Sequence, residues 1–330
     1  MYESYYGLSA KPFQLKPDPH FFFGSKGHKR AMAYLEYGLS QGEGFIVITG
    51  EIGAGKTTLM RNLFSGLESK KILAAQIVNT RLDSDDTLRM VAAAFELPYE
   101  DASKAALLSR LEQFFRYCDS QGKRVLLVVD EAQNLSPRTI EELRMLSNFQ
   151  TADKSLLQTF LLGQPEFRNT LLSEGMQQLR QRVIATYHLG PMDSTETKDY
   201  IKHRLLTAGW QGDPSFSDDA FTAIYDYTEG IPRKINTLCD RLFLTGYLEE
   251  IHDFRDTEVC DVISDIQQEF DLPLRENNTK NSSEMMTFDV AENSPAQLQS
   301  LDERLSKIER AILSILDLFK KILPVSNYTK

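Results

Sequence analysis

The sequence predicts a three-layer α/β domain with a parallel sheet, followed by a small helical domain. Five short apolar runs alternate with amphipathic stretches, and they lie at 45–48, 72–78, 125–129, 156–162 and 183–189. Continuous runs of valine, isoleucine and leucine separated by helical patterns are typical of a parallel sheet covered on both faces. After residue 189 helical patterns follow one another without a good strand, which indicates a separate helical domain.

The first segment, residues 1–43, is rich in aromatic residues and proline. Pro17 and Pro19 disfavour a helix because proline lacks a backbone N–H and its ring clashes with the preceding turn. We therefore expect an extended arm, followed by a helix near residues 26–39. The three phenylalanines at 21–23 are interpreted as an anchor that packs this arm on the next domain.

The remaining segments follow the α/β domain, which we assign to residues 44–189. Residues 190–270 form the helical domain, and residues 271–297 lose aromatics and gain asparagine and serine, which predicts a disordered linker. Residues 298–323 predict a coiled-coil or amphipathic helix, because apolar residues recur at alternating spacings of three and four. That seam consists of Leu298, Leu301, Leu305, Ile308, Ile312, Ile315, Phe319 and Ile322. Self-association or partner capture, membrane-surface association and docking on the protein's own core remain alternative roles for this helix.

Composition excludes several classes of protein. The chain has 330 residues, of which 42% are hydrophobic, so disorder throughout is excluded. Its longest apolar runs are far below the ~18 residues of a membrane span, and the first residues do not form a secretory signal. Three widely separated cysteines suit a reducing cytoplasm. The net charge of −10 argues weakly against wholesale nucleic-acid binding.

A phosphate-binding loop follows the first predicted strand. Residues 50–57 satisfy the pattern G-x-x-x-x-G-K-[ST], and a helical run at 57–67 comes next. Glycines let the backbone approach phosphate closely, so that N–H groups and the helix N-terminus face its oxygens. Lys56 is expected to reach the β- and γ-phosphates, and Thr57 to contribute its hydroxyl to Mg²⁺. The predicted nucleotide-binding residues are Gly50, Glu51, Ile52, Gly53, Ala54, Gly55, Lys56, Thr57 and Thr58.

Two adjacent acids complement this loop. Asp130 and Glu131 end the apolar run 125–129, which predicts that both lie at the carboxyl edge of a buried strand. Asp130 would hold Mg²⁺ beside Thr57, and Glu131 would orient or deprotonate the attacking water. The alternative role for Glu131 is a charge at a helix N-terminus.

Four further polar residues are candidates for the catalytic site. Gln164 follows the strand 156–162, where it could lie between the water and the γ-phosphate, or serve only in a turn. Arg180 and Arg182 precede the last strand, and Arg233 begins a helix of the small domain. An arginine near the departing phosphate is worth ~10³–10⁵ in rate. Each arginine taken alone also fits a solvated surface charge.

Together these motifs resemble the AAA+ ATPases. More narrowly, Lys11-Pro12-Phe13 in the arm, residues 130–135 (DEAQNL) and residues 163–167 (GQPEF) are similar to the family of general secretion pathway protein A. Residues 22–31 (FFGSKGHKRA) and 230–236 (GIPRKIN) resemble the secretion ATPases encoded at exosortase (PEP-CTERM) loci. The resemblance covers roughly residues 1–270.

The resemblance implies roles for the remaining polar residues. Gln164 takes the sensor-1 position, although asparagine or threonine is typical there. Arg182 takes the arginine-finger position with Arg180 as the alternative, and Arg233 takes sensor 2 on a helical lid. Since such sites are completed by the neighbouring subunit, the resemblance implies a homo-oligomeric ring or open helix that binds ATP and Mg²⁺.

The leading functional hypothesis is an oligomeric ATPase that drives or gates a cell-envelope export assembly. The resemblance suggests exopolysaccharide production and exosortase-linked sorting as its setting, with envelope export proteins as partners. We expect a cytoplasmic protein that reaches the inner membrane only by recruitment. The alternatives are a DNA-bound, ATP-gated matchmaker like the transposon target-selection ATPases, and a slow nucleotide switch.

Overall fold

A parallel five-stranded sheet forms the centre of the α/β domain. The computed structural model describes residues 1–67, 71–78, 84–152 and 154–271. The strands are β1 (Phe45–Gly50), β2 (Ile72–Ile77), β3 (Arg124–Val129), β4 (Leu157–Gly163) and β5 (Val183–Leu189), in the order β2-β3-β4-β1-β5. All four pairings are parallel. The predicted α/β fold class is confirmed.

Helices cover both faces of this sheet, as its continuous apolar strands require. One face packs on the helices α2 (Lys26–Gln41) and α3 (Lys56–Ser65). The other face packs on α4 (Ser84–Ala94), α5 (Lys104–Ser120), α6 (Pro137–Leu146), α7 (Glu166–Leu172) and α8 (Gln177–Arg180). Every residue of β1 and β4 is buried, because both strands lie inside the sheet and between the two helical layers.

The second domain is helical, with one small addition that the sequence did not predict. Its helices are α9 (Ser194–Thr207), α10 (Asp218–Thr228), α11 (Pro232–Leu248) and α12 (Asp256–Asp271). Two-residue strands, β6 (Ser215–Phe216) and β7 (Asp253–Phe254), pair in parallel between them. The sequence shows no good strand in this region, because two residues are too few to produce a periodic pattern.

The N-terminal arm differs from its prediction in two ways. It is not wholly extended, since α1 (Tyr2–Tyr5) and a 3₁₀ turn at Pro19–Phe21 form within it. Proline is tolerated in that turn because it stands at the first position, where its missing N–H would have no partner. The arm also packs chiefly on the helical domain rather than on the next domain in sequence, since Phe13 and Phe21 join that domain's core.

Two predicted segments lie outside the described residues, namely the linker at 271–297, apart from Asp271, and the heptad helix at 298–323. The α/β domain and the helical domain belong to a single unit, Met1–Leu272. Within the described part of the chain, no helix is both long enough and apolar enough to cross a membrane.

Replacing Phe13 with alanine tests whether the arm is part of the helical core. Phe13 is 0% exposed, and its ring centroid lies 5.6 Å from that of Phe243. We expect Phe13→Ala to lower the free energy of unfolding by about 3–5 kcal/mol, as for other buried aromatics. Denaturant unfolding measures this change, and Leu15→Ala is the control because Leu15 is 57% exposed. Equal effects of the two substitutions would contradict the docking of the arm.

Candidate nucleotide-binding site

The glycine-rich loop lies where the sequence predicts it, between β1 and α3. Gly53 and Gly55 have φ angles of +84° and +96°, in a region that favours glycine. A Cβ on Gly55 would lie 2.7 Å from Nε2 of His28, and one on Gly53 would collide with the side chain of Arg233. Both glycines are therefore needed for backbone conformation and for the close approach of neighbouring elements.

Lys56 is buried at the start of α3, folded against its own loop. Its Nζ donates hydrogen bonds to the backbone oxygens of Gly50 at 2.6 Å and Glu51 at 3.0 Å. Burial lowers the pKa of Lys56, while the carboxylates of Glu131 and Asp130 act in the opposite direction. The ammonium group is thus held inside the loop, where an anionic phosphate would restore the stabilisation that water supplied.

The residues present at the predicted magnesium position fit that ion. Thr57, in the first turn of α3, donates a hydrogen bond from Oγ1 to Oδ2 of Asp130, the residue after β3, at 3.2 Å. Asp130 is 3% exposed, and burial raises its pKa. A hydroxyl and a carboxylate are hard oxygen ligands of the kind Mg²⁺ prefers, and a divalent cation would favour the ionised carboxylate.

Glu131, Gln133 and Gln164 form a hydrogen-bonded group beside this position. Nε2 of Gln133 donates to Oε2 of Glu131 at 2.6 Å, and Nε2 of Gln164 donates to the same oxygen at 3.3 Å. The backbone N–H of Gln164 donates to Oε1 of Gln133 at 3.0 Å. Glu131 itself has a φ of +55°, unusual for a residue with a side chain. The sequence predicted Glu131 and Gln164 but missed Gln133, whose only signal was its place two residues after Glu131.

Glu131 and Gln164 line a cleft with a volume of about 320 Å³, which is within the range of small-ligand sites. The α/β domain supplies the floor, and Pro232, Arg233 and Asn236 of α11 line it from the helical domain. Arg233 is therefore brought to the predicted site, and its backbone N–H donates to the oxygen of Gly53 at 3.2 Å. Thr58 and Ile52 also line the cleft.

The arm supplies the third wall, which the sequence analysis missed. Its lining residues are Gln14, Leu15, Lys16, Pro17, Asp18, Phe21, Phe22 and Phe23. Two arginines hold the arm by its backbone. Arg204 of α9 is buried and donates to the oxygen of Pro12, and Arg61 of α3 donates to the oxygen of Pro17 at 2.7 Å. The arm is thus attached to both domains, one on each side of the cleft.

His28 contacts the loop from α2. Ser25 caps this helix by accepting the backbone N–H of His28, and its hydroxyl lies 2.7 Å from Nδ1 of the same histidine. The Ser25 hydroxyl can donate to Nδ1, and in that tautomer the N–H of the neutral ring is on Nε2, beside Gly55. Burial lowers the pKa of His28 to about 4.

Arg180 and Arg182 are not brought to this cleft. Both precede β5, and the backbone oxygen of Arg182 accepts from the N–H of Phe45, at the amino end of β1. They therefore lie at the opposite edge of the sheet from the glycine-rich loop. Arg180 donates to the backbone oxygens of Leu171 and Ser173, whereas Arg182 donates to Oγ of Ser147 at 2.7 Å.

Fold and site together define an AAA-type P-loop nucleotide-binding protein. Residues 39–171 match the family described as AAA domain, which agrees with the sheet order and the glycine-rich loop. The chain is related to general secretion pathway protein A of Aeromonas hydrophila, with 38% identity over 253 residues. That match covers 76% of this chain and 46% of the relative, so the chain spans about half the relative's length. The resemblance to AAA+ ATPases of this kind is confirmed, while the narrower likeness to exosortase-locus ATPases stays a prediction.

Solved structures give the same fold. The ORC2 protein of Aeropyrum pernix, in its ADPNP-ADP complexes, has a TM-score of 0.60 at 17% identity. The match covers 78% of this chain and 71% of the ORC2 chain. The ORC1 protein of Aeropyrum pernix in complex with DNA has a TM-score of 0.57 at 15% identity, covering 78% and 70% respectively. At these identities the likeness concerns the fold alone.

The neutral state of His28 predicts an acid-sensitive contribution to stability. Its pKa falls from an ordinary 6.5 to about 4 on folding, so the unfolded chain takes up a proton first as the pH falls. The free energy of unfolding should therefore fall by about 2 kcal/mol between pH 7 and pH 5 because of this residue. We expect His28→Gln to lose less stability over that range than the parent protein, measured by denaturant unfolding. His20→Gln is the control because His20 is exposed, and an unchanged pH dependence of His28→Gln would contradict the assignment.

Proposed function

We propose that the protein hydrolyses ATP to ADP and phosphate at the cleft between the loop, the arm and the helical domain. The observation that carries this proposal is that Lys56, Thr57 and Glu131 line one cleft, with Asp130 hydrogen-bonded to Thr57 beside it. Lys56, Thr57 and Asp130 fit a nucleotide with Mg²⁺. Glu131 adds a carboxylate that nucleotide binding alone does not require, so its presence favours turnover.

Each group has a distinct part in this reaction. Lys56 binds the β- and γ-phosphates, and Thr57 and Asp130 hold Mg²⁺, which when bound neutralises charge on the phosphate oxygens. Glu131 takes a proton from the water that attacks the γ-phosphorus while the bond to the bridging oxygen of ADP breaks. Gln164, at the end of β4, orients that water or the γ-phosphate.

We further propose that Arg182 acts on the nucleotide of a neighbouring subunit. Its position at the sheet edge opposite its own loop supports a role in trans. Arg182 donates to the side-chain hydroxyl of Ser147, which is easily exchanged, whereas Arg180 closes the end of α7 through two carbonyls. Arg182 is therefore preferred to Arg180 as the finger. A ring or open helix of subunits would then be the active form.

Arg233 would report the state of the nucleotide to the helical domain. Its backbone already contacts the oxygen of Gly53, and the arm is tied to the same domain by Arg204. A phosphate beside Arg233 would favour one position of the helical domain over another, which is how a local charge drives a domain movement.

The work done with this energy is proposed to be the driving or gating of a cell-envelope export assembly. The 38% identity to general secretion pathway protein A supports this role, although the match covers only 46% of that protein. Partners would be export proteins of the envelope, with the ATPase recruited to the inner membrane. The net charge of −10 argues only weakly against DNA binding, so the proposal of an export role rests on the family relationship.

Two substitutions separate binding from hydrolysis. Lys56→Ala should weaken ATP binding by at least 100-fold, since it removes the ammonium from the phosphate position. Glu131→Gln should bind ATP as the parent does and lose at least 100-fold in kcat, because the amide cannot take the water proton. Calorimetric titration with ATP and a phosphate-release assay measure the two effects. Full turnover by Glu131→Gln would contradict its role as the base.

Mixing inactive subunits tests the shared site. Arg182→Ala and Glu131→Gln should each lose activity alone, by about 10³-fold or more for the arginine if it acts as a finger. In a mixed assembly, an Arg182→Ala subunit keeps Glu131 and can receive a finger from its Glu131→Gln neighbour, so part of the activity should return. Arg180→Ala is the matched control and should retain activity as a homo-oligomer. No recovery at any mixing ratio would argue against action in trans.

A further inference from the structure

Gln133 lies between the proposed base and the end of the neighbouring strand. It belongs to a 3₁₀ turn at Ala132–Asn134, directly after Glu131. Its side-chain amide is engaged at both ends, since Nε2 donates to Glu131 at 2.6 Å and Oε1 accepts from the backbone N–H of Gln164 at 3.0 Å. One side chain therefore connects Glu131, two residues after the end of β3, with Gln164, the residue after β4.

Chemistry decides the orientation of this amide. A carboxylate only accepts hydrogen bonds, and a backbone N–H only donates them. The NH₂ group of Gln133 must therefore face Glu131, and its oxygen must face Gln164. Rotating the amide by 180° would place two donors together at one end and two acceptors together at the other. The two partners thus lock Gln133 in a single orientation.

We propose that Gln133 is a positioning residue that holds the carboxylate of Glu131 in the orientation required for hydrolysis. This inference rests on the proposed ATPase function and adds a residue to it. A carboxylate on a flexible side chain rotates about its last torsion, and a hydrogen bond to one oxygen from a locked amide restricts that rotation. Correct placement of a reacting group to within about 1 Å is worth roughly 100-fold in rate.

Gln133 and Gln164 differ in how they meet the same oxygen. Gln133 donates to Oε2 of Glu131 at 2.6 Å, whereas the side chain of Gln164 donates at 3.3 Å. The longer bond is the weaker one, so Gln164 exchanges it for a nucleotide oxygen or the attacking water at low cost. Gln133 keeps its bond during that exchange, because its other end is held by the backbone of Gln164 rather than by its side chain.

The backbone contact also couples the base to β4. Any movement of the strand end at Gly163 and Gln164 changes the position of the N–H that holds Gln133, and through it the carboxylate of Glu131. A change at the sensor position is thereby transmitted to the base through two hydrogen bonds. The direct side-chain contact of Gln164 is not required for this transmission.

The first test replaces Gln133 with methionine, which has a similar length and makes neither hydrogen bond. We expect Gln133→Met to lower kcat by about 10- to 100-fold with the affinity for Mg²⁺·ATP changed less than twofold. Gln158→Met is the matched control. Gln158 is also an engaged glutamine, donating to the oxygens of Gly38 and Glu43, but it lies at the other end of β4. The control should lose stability and keep kcat.

The second test replaces Gln133 with glutamate, which keeps the shape and still accepts the N–H of Gln164. An ionised glutamate has no N–H to donate to the carboxylate of Glu131. We expect Gln133→Glu to lower kcat by about 10-fold or more, as Gln133→Met does. Turnover equal to the parent's would contradict the need for a hydrogen-bond donor at this position.

The outcomes separate this inference from the proposed function. If Glu131→Gln has the same phosphate release as the parent, the ATPase assignment fails. If Glu131→Gln is inactive but Gln133→Met keeps the parent's kcat, or loses nucleotide binding as well, the positioning role is overturned. A crystal structure of Gln133→Met gives a readout independent of turnover. The carboxylate of Glu131 should rotate or occupy several positions, and an unmoved carboxylate would also overturn the proposal.

Discussion

The common direction of the five strands is the constraint on which the candidate site depends. Because β1, β3 and β4 are parallel neighbours, their carboxyl ends meet at one edge of the sheet. That arrangement brings Thr57 within hydrogen-bond distance of Asp130, 73 residues further along the chain. It also places Gln164 beside Glu131, since β4 lies between β1 and β3. The two arginines before β5 lie at the other edge for the same reason.

Burial gives this edge its electrostatic character. It raises the pKa of Asp130 and lowers those of Lys56 and His28, so each charged form is less stable than it would be in water. A phosphate near Lys56 and a divalent cation near Asp130 would each restore part of that loss. Lys56 and Asp130 would therefore each be stabilised by a ligand of opposite charge. The neutral imidazole of His28 packs against the loop without adding a charge.

Three parts of the chain line the cleft. The loop supplies one wall and α11 another, but the arm supplies a third and is attached on both sides, to Arg204 of the helical domain and to Arg61 of α3. A movement of the helical domain must therefore carry or strain the arm. The arm, α3 and the helical domain are thus connected through hydrogen bonds to backbone carbonyls.

Local sequence alone determined the five strands of the main sheet, helices such as α2, α3 and α5, and the glycine-rich loop with the acids Asp130 and Glu131, because apolar periodicity and short-range spacing are recorded within a few residues of each element. Elements of two to four residues, such as α1, β6 and β7, are too short to leave that signal. Only the tertiary structure decided which other residues contact the loop and these acids. Gln133, Arg204 and the arm became site residues through contacts across domains and strand ends, and such contacts leave no periodic signal. Burial is decided in the same way, because whether a polar side chain such as His28 is desolvated depends on which distant residues pack around it.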